Sequence, residues 1–150
     1  MSCMRYLPAL VLPLLLAACS SVPYAERVSK QQHAYAAAAG EPVNSFRFIS
    51  LYSWEALGDR QVVVYTRPTQ AWLLDLGGGC PDLDIGNSLG LTSDFNRVQV
   101  GFDKVIPGRS GFPCRISQIR PIDMAKLKAA RQQQRQISSE PREAAGASGQ

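Results

Sequence analysis

The fold is decided by the stretch Gln61-Val62-Val63-Val64-Tyr65-Thr66-Arg67-Pro68-Thr69-Gln70-Ala71-Trp72-Leu73-Leu74-Asp75-Leu76. Its first part is rich in β-branched and aromatic residues, and the part that starts at Ala71 is equally apolar, which favours two strands. Between them Pro68 stands where a type I turn prefers proline. The stretch therefore predicts an antiparallel β-hairpin.

Further strands are predicted on both sides of this hairpin. Apolar residues begin the region near Phe46, and a short strand is predicted over Leu89 to Thr92. Together they predict a mainly β fold, a small antiparallel barrel or sandwich of about five or six strands, followed by a C-terminal helix.

Two later segments predict strands with specific orientations. In the segment Arg97 to Asp103 polar and apolar residues alternate. This alternation predicts that Val98, Val100 and Phe102 point inward, with Gln99 and Asp103 in water. In the segment Cys114 to Arg120, Ile116 and Ile119 are three residues apart, which predicts a β-bulge near Gln118.

After Pro121 the pattern becomes helical. Asp123 is the expected N-cap, and a basic helix is predicted over 124–137. Its basic residues are expected to be solvated, with contact to anionic lipid or to the wall polymer as the alternative. Residues 138–150 contain almost nothing apolar and are expected to be disordered.

The first 18 residues have the pattern of a secretory signal peptide, with a positive charge at Arg5, an apolar run and small residues before a cleavage point. The segment Leu16-Ala17-Ala18-Cys19 resembles the bacterial lipobox. That resemblance implies cleavage before Cys19, a thioether-linked diacylglycerol on its sulfur and a third acyl chain on its amine. A plain signal peptide with an accidental cysteine is the alternative. Ser20 and Ser21 follow Cys19, which implies sorting to the outer membrane, with the domain on the periplasmic face.

Residues 19–44 are interpreted as the lipidated N-terminus and a flexible spacer. The segment from Glu26 to Ala39 has helix-forming residues but little apolar surface with which to dock. The disulfide-closed β domain is expected over 45–123. Without residues 1–18 the chain keeps 132 residues, enough for one small core, and its formal charge falls from +4 to +3. This mild basic excess is spread along the chain and does not indicate a particular binding partner.

The cysteines predict one disulfide. Cys3 would leave with the signal peptide and Cys19 would carry lipid, so Cys80 and Cys114 remain and are expected to pair in an oxidising compartment. A zinc site would need more ligands, and the only histidine is His33 in the predicted spacer. A redox pair would usually have Cys-x-x-Cys spacing, which is absent.

Several motifs in this region resemble those of an uncharacterised family of small Gram-negative lipoproteins, over about residues 45 to 123. They are Trp54-x-x-Leu57-Gly58, Cys80-Pro81-x-Leu83, Gly90-Leu91-Thr92-Ser93, Phe102-Asp103-x-Val105 and Cys114-Arg115-Ile116-x-x-Ile119-Arg120-Pro121. The resemblance implies an exported lipoprotein with one disulfide, and it brings no known active site.

Motifs for catalysis, nucleotide binding or metal binding are missing. The sequence has no Gly-x-Ser-x-Gly, no His-Glu-x-x-His and no phosphate loop. The segment Asp82-x-Asp84-x-Gly86 lacks the distal glutamate of a calcium loop. We therefore predict no cofactor and no metal. Nucleic-acid binding would need a dense basic and aromatic surface, so it is not expected. Four aromatic residues are expected in the core rather than on a ligand platform: Trp54, Tyr65, Trp72 and Phe102.

The favoured hypothesis is a noncatalytic module, anchored to the membrane through lipid on Cys19, that binds an envelope protein or peptidoglycan. An inhibitor or immunity protein against a wall-degrading enzyme is one alternative, although the Ser-Gly-x-x-Tyr motif of lysozyme-inhibitor lipoproteins is missing. A small hydrolase that uses two carboxylates is the other alternative. Its candidate residues are Asp59, Asp75, Asp94 and Asp103.

Overall fold

A computed structural model describes residues 22–109 and 111–139, with side chains through residue 137. The predicted signal peptide, the lipidation of Cys19 and residues 140–150 of the predicted tail lie outside the described residues. The first two residues of that tail, 138 and 139, are the end of the C-terminal helix rather than disordered.

The described chain forms two helices and eight strands. In order they are α1 (Tyr24–Ala38), β1 (Ser45–Arg47), β2 (Ser53–Ala56), β3 (Gln61–Arg67), β4 (Gln70–Leu76), β5 (Leu89–Leu91), β6 (Arg97–Gln99), β7 (Lys104–Pro107), β8 (Cys114–Ile122) and α2 (Met124–Ser139). The predicted hairpin is confirmed as β3 and β4, with Pro68 in the turn between them.

The strands form two sheets. Six of them make an antiparallel sheet in the order β2-β3-β4-β8-β7-β5, which curls into a nearly closed barrel, and β1 pairs with β6 in a two-stranded ribbon. The ribbon is joined to β8 because the Val43 amide donates to Ile119 O at 2.9 Å and the Gly101 amide donates to Ile116 O at 2.8 Å. The prediction of a mainly β fold with a C-terminal helix is confirmed.

The central strands separate two apolar cores. Alternate residues of β4 face opposite sides, so Leu74 and Leu76 point into the barrel, where Phe46 of the ribbon covers them, while Leu73 lies under the helices. Burial on both faces explains why β3 and β4 read as continuous apolar runs rather than as alternating ones.

Helix α1 corrects the prediction of a flexible spacer over residues 19–44. Tyr24–Ala38 form a helix, and Ala34, Tyr35 and Ala38 are buried against the sheet. One aromatic ring and two small side chains are enough to dock it because the small residues let the helix backbone approach the strands. Its exposed side has an ion pair between Lys30 and Glu26 at 2.8 Å, four residues apart.

The predicted orientation of Phe102 and Asp103 is wrong. Val98 is buried as predicted, but β6 ends at Gln99, and Gly101 turns the chain with φ of 81°. Phe102 is therefore 81% exposed, whereas Asp103 is buried. The Asp103 carboxylate accepts hydrogen bonds from Thr92 Oγ1 and from the Gln99 amide, both at 2.7 Å. The alternation of apolar and polar residues over 97–103 therefore does not belong to one strand, because a turn separates β6 from β7.

Three local predictions are confirmed: the bulge near Gln118, the Cys80–Cys114 disulfide and the helix cap at Asp123. Asp75 pairs with Gln118 and Leu76 pairs with Ile116, so the register shifts by one residue at the predicted bulge. Cys80 and Cys114 form the disulfide, with Cα atoms 5.6 Å apart. Asp123 caps α2, because its carboxylate accepts from the backbone amide of Ala125 at 2.9 Å.

Both helices are fastened to the sheet by a polar network around Tyr35. Its hydroxyl donates to Glu55 Oε2, lies 2.7 Å from the Tyr65 hydroxyl and accepts from Arg131 at 2.7 Å. Arg131 also reaches Glu55 at 3.2 Å. The network therefore links α1, β2, β3 and α2. Burial, and next the hydrogen bond to Glu55, raise the pKa of Tyr35 above the ordinary tyrosine value.

Removing the disulfide is expected to destabilise the fold. Because the two cysteines are 34 residues apart, the chain-entropy model predicts that a Cys80→Ala/Cys114→Ala variant loses about 4 kcal/mol of unfolding free energy. Urea unfolding of the oxidised protein and of the variant measures the difference. Modification of both cysteines by a thiol reagent in the native, unreduced protein would contradict the bond itself.

The Tyr35 network predicts alkaline instability. An unfolded tyrosine releases its proton near pH 10, whereas folded Tyr35 keeps it. Above about pH 10 the free energy of unfolding therefore falls as pH rises, by at most about 1.4 kcal/mol per pH unit from this group. Tyr35→Phe should lose this component and be about 1–2 kcal/mol less stable at neutral pH.

Urea unfolding at pH 7 and at several values above 10 measures both effects of Tyr35→Phe. Tyr52→Phe is the matched control because the Tyr52 side chain is exposed. The same alkaline slope in Tyr35→Phe and in the unsubstituted protein would contradict the assignment.

Candidate functional site

A groove of about 510 Å³ lies between α1 and one end of the central strands, and we call it the α1 groove. It is lined by Gln32, His33, Ala36, Arg60, Gln61, Asp75 and Leu76. Its volume falls within the usual range of small-ligand sites. The groove forms where apolar packing between α1 and the sheet ends, because the strand residues that face the helix change there from Val63 and Leu73 to Gln61 and Asp75.

The carboxylate of Asp75 is held on the strand side of the α1 groove. Arg120 of β8 reaches it at 2.9 Å, and Gln61 Nε2 donates to it at 2.6 Å. Both carboxylate oxygens are engaged: Gln61 donates to Oδ1, and Arg120 Nη2 lies 2.9 Å from Oδ2 and 3.3 Å from Oδ1. Asp75 is therefore a neutralised, positioned group rather than a free anion.

Arg60 supplies positive charge to the α1 groove, and His33 supplies an imidazole from α1. Within residues 22–109 and 111–139 neither side chain has an ion-pair partner. Gln32 is already engaged, since its Nε2 donates to Leu57 O at 2.8 Å and so fixes the helix beside the groove. The groups left for a ligand are hydrogen-bond donors and positive charge, which suit a carboxylate or another anionic group.

The other three candidate aspartates lie between strands, and the hydrogen bonds of Asp94 and Asp59 are made by their backbone atoms rather than by their carboxylates. Asp103 closes the turn after β6, as described above. Asp94 exchanges backbone hydrogen bonds with Arg97 in a tight turn, and Asp59 O accepts from the Cys80 amide at 2.6 Å. Among the described residues no group of three or more metal-ligating side chains comes together, and Asp82 and Asp84 lie in an irregular loop.

The sequence did not predict that His33 and Asp75 would share a groove. His33 lies in the segment that was interpreted as spacer, so its position depended on the docking of α1. The signal that was available is the small-residue pattern Ala34, Ala38 around Tyr35 on one face of a helix.

A histidine and a carboxylate in one groove raise the possibility of catalysis, but the rest of the lining does not support it. No serine, threonine or cysteine lines the α1 groove in the described part of the chain. Catalysis by a Ser–His or Cys–His pair therefore has no nucleophile among these described lining residues. The arrangement is suited to recognition of a ligand.

A family model matches residues 2–138, which include both helices, all strands and the two bonded cysteines. The chain belongs to a family of unknown function (DUF6491). No curated protein and no solved structure matches this DUF6491 chain. Within its described residues, neither helix is long and apolar enough to cross a membrane.

Proposed function

We propose that this DUF6491 protein is a lipid-anchored lipoprotein of the Gram-negative outer membrane, with its domain on the periplasmic face. In this proposal the domain is a noncatalytic module that binds a protein or another envelope component. An inhibitor of a wall-degrading enzyme would be one form of such a module.

The anchor is supported by the sequence Leu16-Ala17-Ala18-Cys19 after an apolar run. Two or more acyl chains hold a protein stably at a membrane, because each buried methylene contributes about 0.8 kcal/mol. The Cys80–Cys114 bond is compatible with this location, because disulfides persist in oxidising compartments such as the periplasm.

The α1 groove is the observation that carries the binding part of the proposal. It presents His33 and Arg60 without ion-pair partners in the described chain, beside an Asp75 that Arg120 already neutralises. A ligand with an exposed carboxylate would pair with Arg60 and accept a hydrogen bond from the His33 imidazole. Acidic side chains of an envelope protein and the peptide stems of peptidoglycan both offer that chemistry.

The competing hydrolase hypothesis is weaker. It needs two carboxylates that share one reaction centre, with one of them free to accept a proton. Asp75 is the single carboxylate among the described residues that line the α1 groove, and its oxygens accept from Arg120 and Gln61. Binding therefore accounts for the groove with fewer assumptions than catalysis.

Cys19→Ala tests the anchor. Because the acyl chains attach to this residue in our proposal, the variant should leave the membrane fraction or accumulate with its leader uncleaved. Detergent phase partitioning and labelling with a radioactive fatty acid measure the change. Cys3→Ala is the matched control, since it removes a cysteine from the leader and should leave both readouts unchanged. Incorporation of the fatty acid into Cys19→Ala at the level of the unsubstituted protein would contradict the anchor.

Photocrosslinking from the α1 groove tests binding. A benzophenone amino acid in place of the exposed Ala36, in the full-length protein in living cells, should capture an envelope component. Arg60→Gln should lower the yield about tenfold if this arginine pairs with a ligand carboxylate. Arg109→Gln, which removes an exposed charge outside the groove, is the matched control. Capture that does not exceed background would count against the binding proposal.

A further inference from the structure

The turn between β5 and β6 holds an unusually placed phenylalanine. Asp94 and Arg97 exchange backbone hydrogen bonds at 3.0 and 2.9 Å, so Phe95 and Asn96 form a two-residue turn. Both have positive φ, 49° and 59°, as a type I′ turn requires. Asn is common at such positions, but a bulky aromatic residue is disfavoured there. Phe95 is also 95% exposed, so packing does not offset this cost.

Two arginines lie opposite each other next to this turn. Arg47 of β1 pairs with Arg97 of β6. The Phe48 amide donates to Asn96 O at 2.8 Å, which makes the Arg47–Arg97 pair a non-hydrogen-bonded one, with the two side chains close together. Like charges in direct opposition destabilise a sheet.

Both arginine side chains point away from the core, because Phe46 and Val98 of the same strands point into it. Arg97 donates to Ser45 Oγ at 3.2 Å, and neither arginine has an acidic partner among the residues described.

The surface continues onto the hairpin of β3 and β4. Arg47 and Arg67 line one recess of about 140 Å³ together with Ile49, whose side chain is 71% exposed. We call the set Arg47, Ile49, Arg67, Phe95 and Arg97 the Phe95 surface. It combines three arginines with two protruding apolar groups, and Arg67 also has no acidic partner in the described chain.

We infer that the Phe95 surface docks an acidic protein partner, with Phe95 entering an apolar pocket and the arginines pairing with carboxylates around it. Aromatic and arginine side chains dominate the binding energy of protein interfaces. A strained aromatic residue and an opposed pair of like charges both weaken the isolated fold. A partner that buries the Phe95 ring would offset the first cost, and its negative charge would remove the second.

The position of this surface favours a protein over the anchoring membrane; this step rests on the proposed lipid anchor. The chain enters the domain at Tyr24, whose hydroxyl donates to Asp84 at 2.9 Å beyond the end of β4. The Phe95 surface lies beside the opposite end of β4, at the turn that contains Arg67. A seven-residue strand separates these ends by about 20 Å. Helix α1 and the Phe95 surface also lie on opposite sides of the sheet, since α1 and the ribbon cover different cores.

Photocrosslinking from position 95 tests the inference in the full-length protein in living cells. A benzophenone amino acid in place of Phe95 should form an adduct with a protein, and the crosslinked peptide should lie beside Asp and Glu residues. Arg47→Gln/Arg97→Gln should lower the adduct yield about tenfold or more. Arg109→Gln/Arg115→Gln removes the same charge from exposed positions outside the surface and should leave the yield unchanged.

Thermal unfolding separates an interface role from a structural one. Because Arg47 and Arg97 repel each other, the double substitution to Gln should keep or raise Tm. A marked fall in Tm would assign the arginines to the fold and overturn the inference. The inference would also be overturned by adducts with lipid, by an adduct yield that is unchanged in Arg47→Gln/Arg97→Gln, or by the absence of any adduct. Capture from position 36 in the same cells would then still support the α1 groove, so the two proposals fail separately.

Discussion

Burial of β4 on both faces is the constraint on which the rest of the molecule depends. Leu74 and Leu76 fill the barrel, and Ala71 and Leu73 form the floor under the helices. Because neighbouring residues of a strand face opposite sides, a shift of one residue would exchange the two sets and put Asp75 inside the barrel. The register of β4 therefore fixes both cores and the position of the α1 groove.

The helices occupy only the part of the sheet where β3, β4 and β8 are apolar. At one limit of that area the hydroxyl of Tyr35 on α1 contacts Glu55 and Tyr65 of the sheet. Arg131 on α2 donates a hydrogen bond to the same hydroxyl, so both helices are held there. At the other limit the charged pair of Asp75 and Arg120 replaces the apolar residues, and the α1 groove lies between Asp75 and α1. The groove is thus a consequence of where apolar packing between α1 and the sheet ends.

Features that depend on neighbouring residues were predictable, and features that depend on docking were not. The β3–β4 hairpin, the bulge near Gln118 and the disulfide follow from local pattern and from the number of cysteines. The burial of α1 was missed because Tyr35 is its one large buried side chain. The orientation of Phe102 was missed because Gly101 reverses the chain inside an alternating pattern. The α1 groove could not be predicted, since it needs α1 to be in place.

The arrangement of charge is more informative than its sum. Along the sequence the basic excess looked spread out, and it pointed to no partner. In the fold the acidic groups with ion-pair partners, Glu26, Glu55 and Asp75, neutralise cations that belong to α1, α2 and β8. The arginines of the ribbon and of the β3–β4 turn have no such partner in the described chain, and these three come together at the Phe95 surface. Opposed arginines beside an exposed aromatic ring are the arrangement from which we infer an acidic partner.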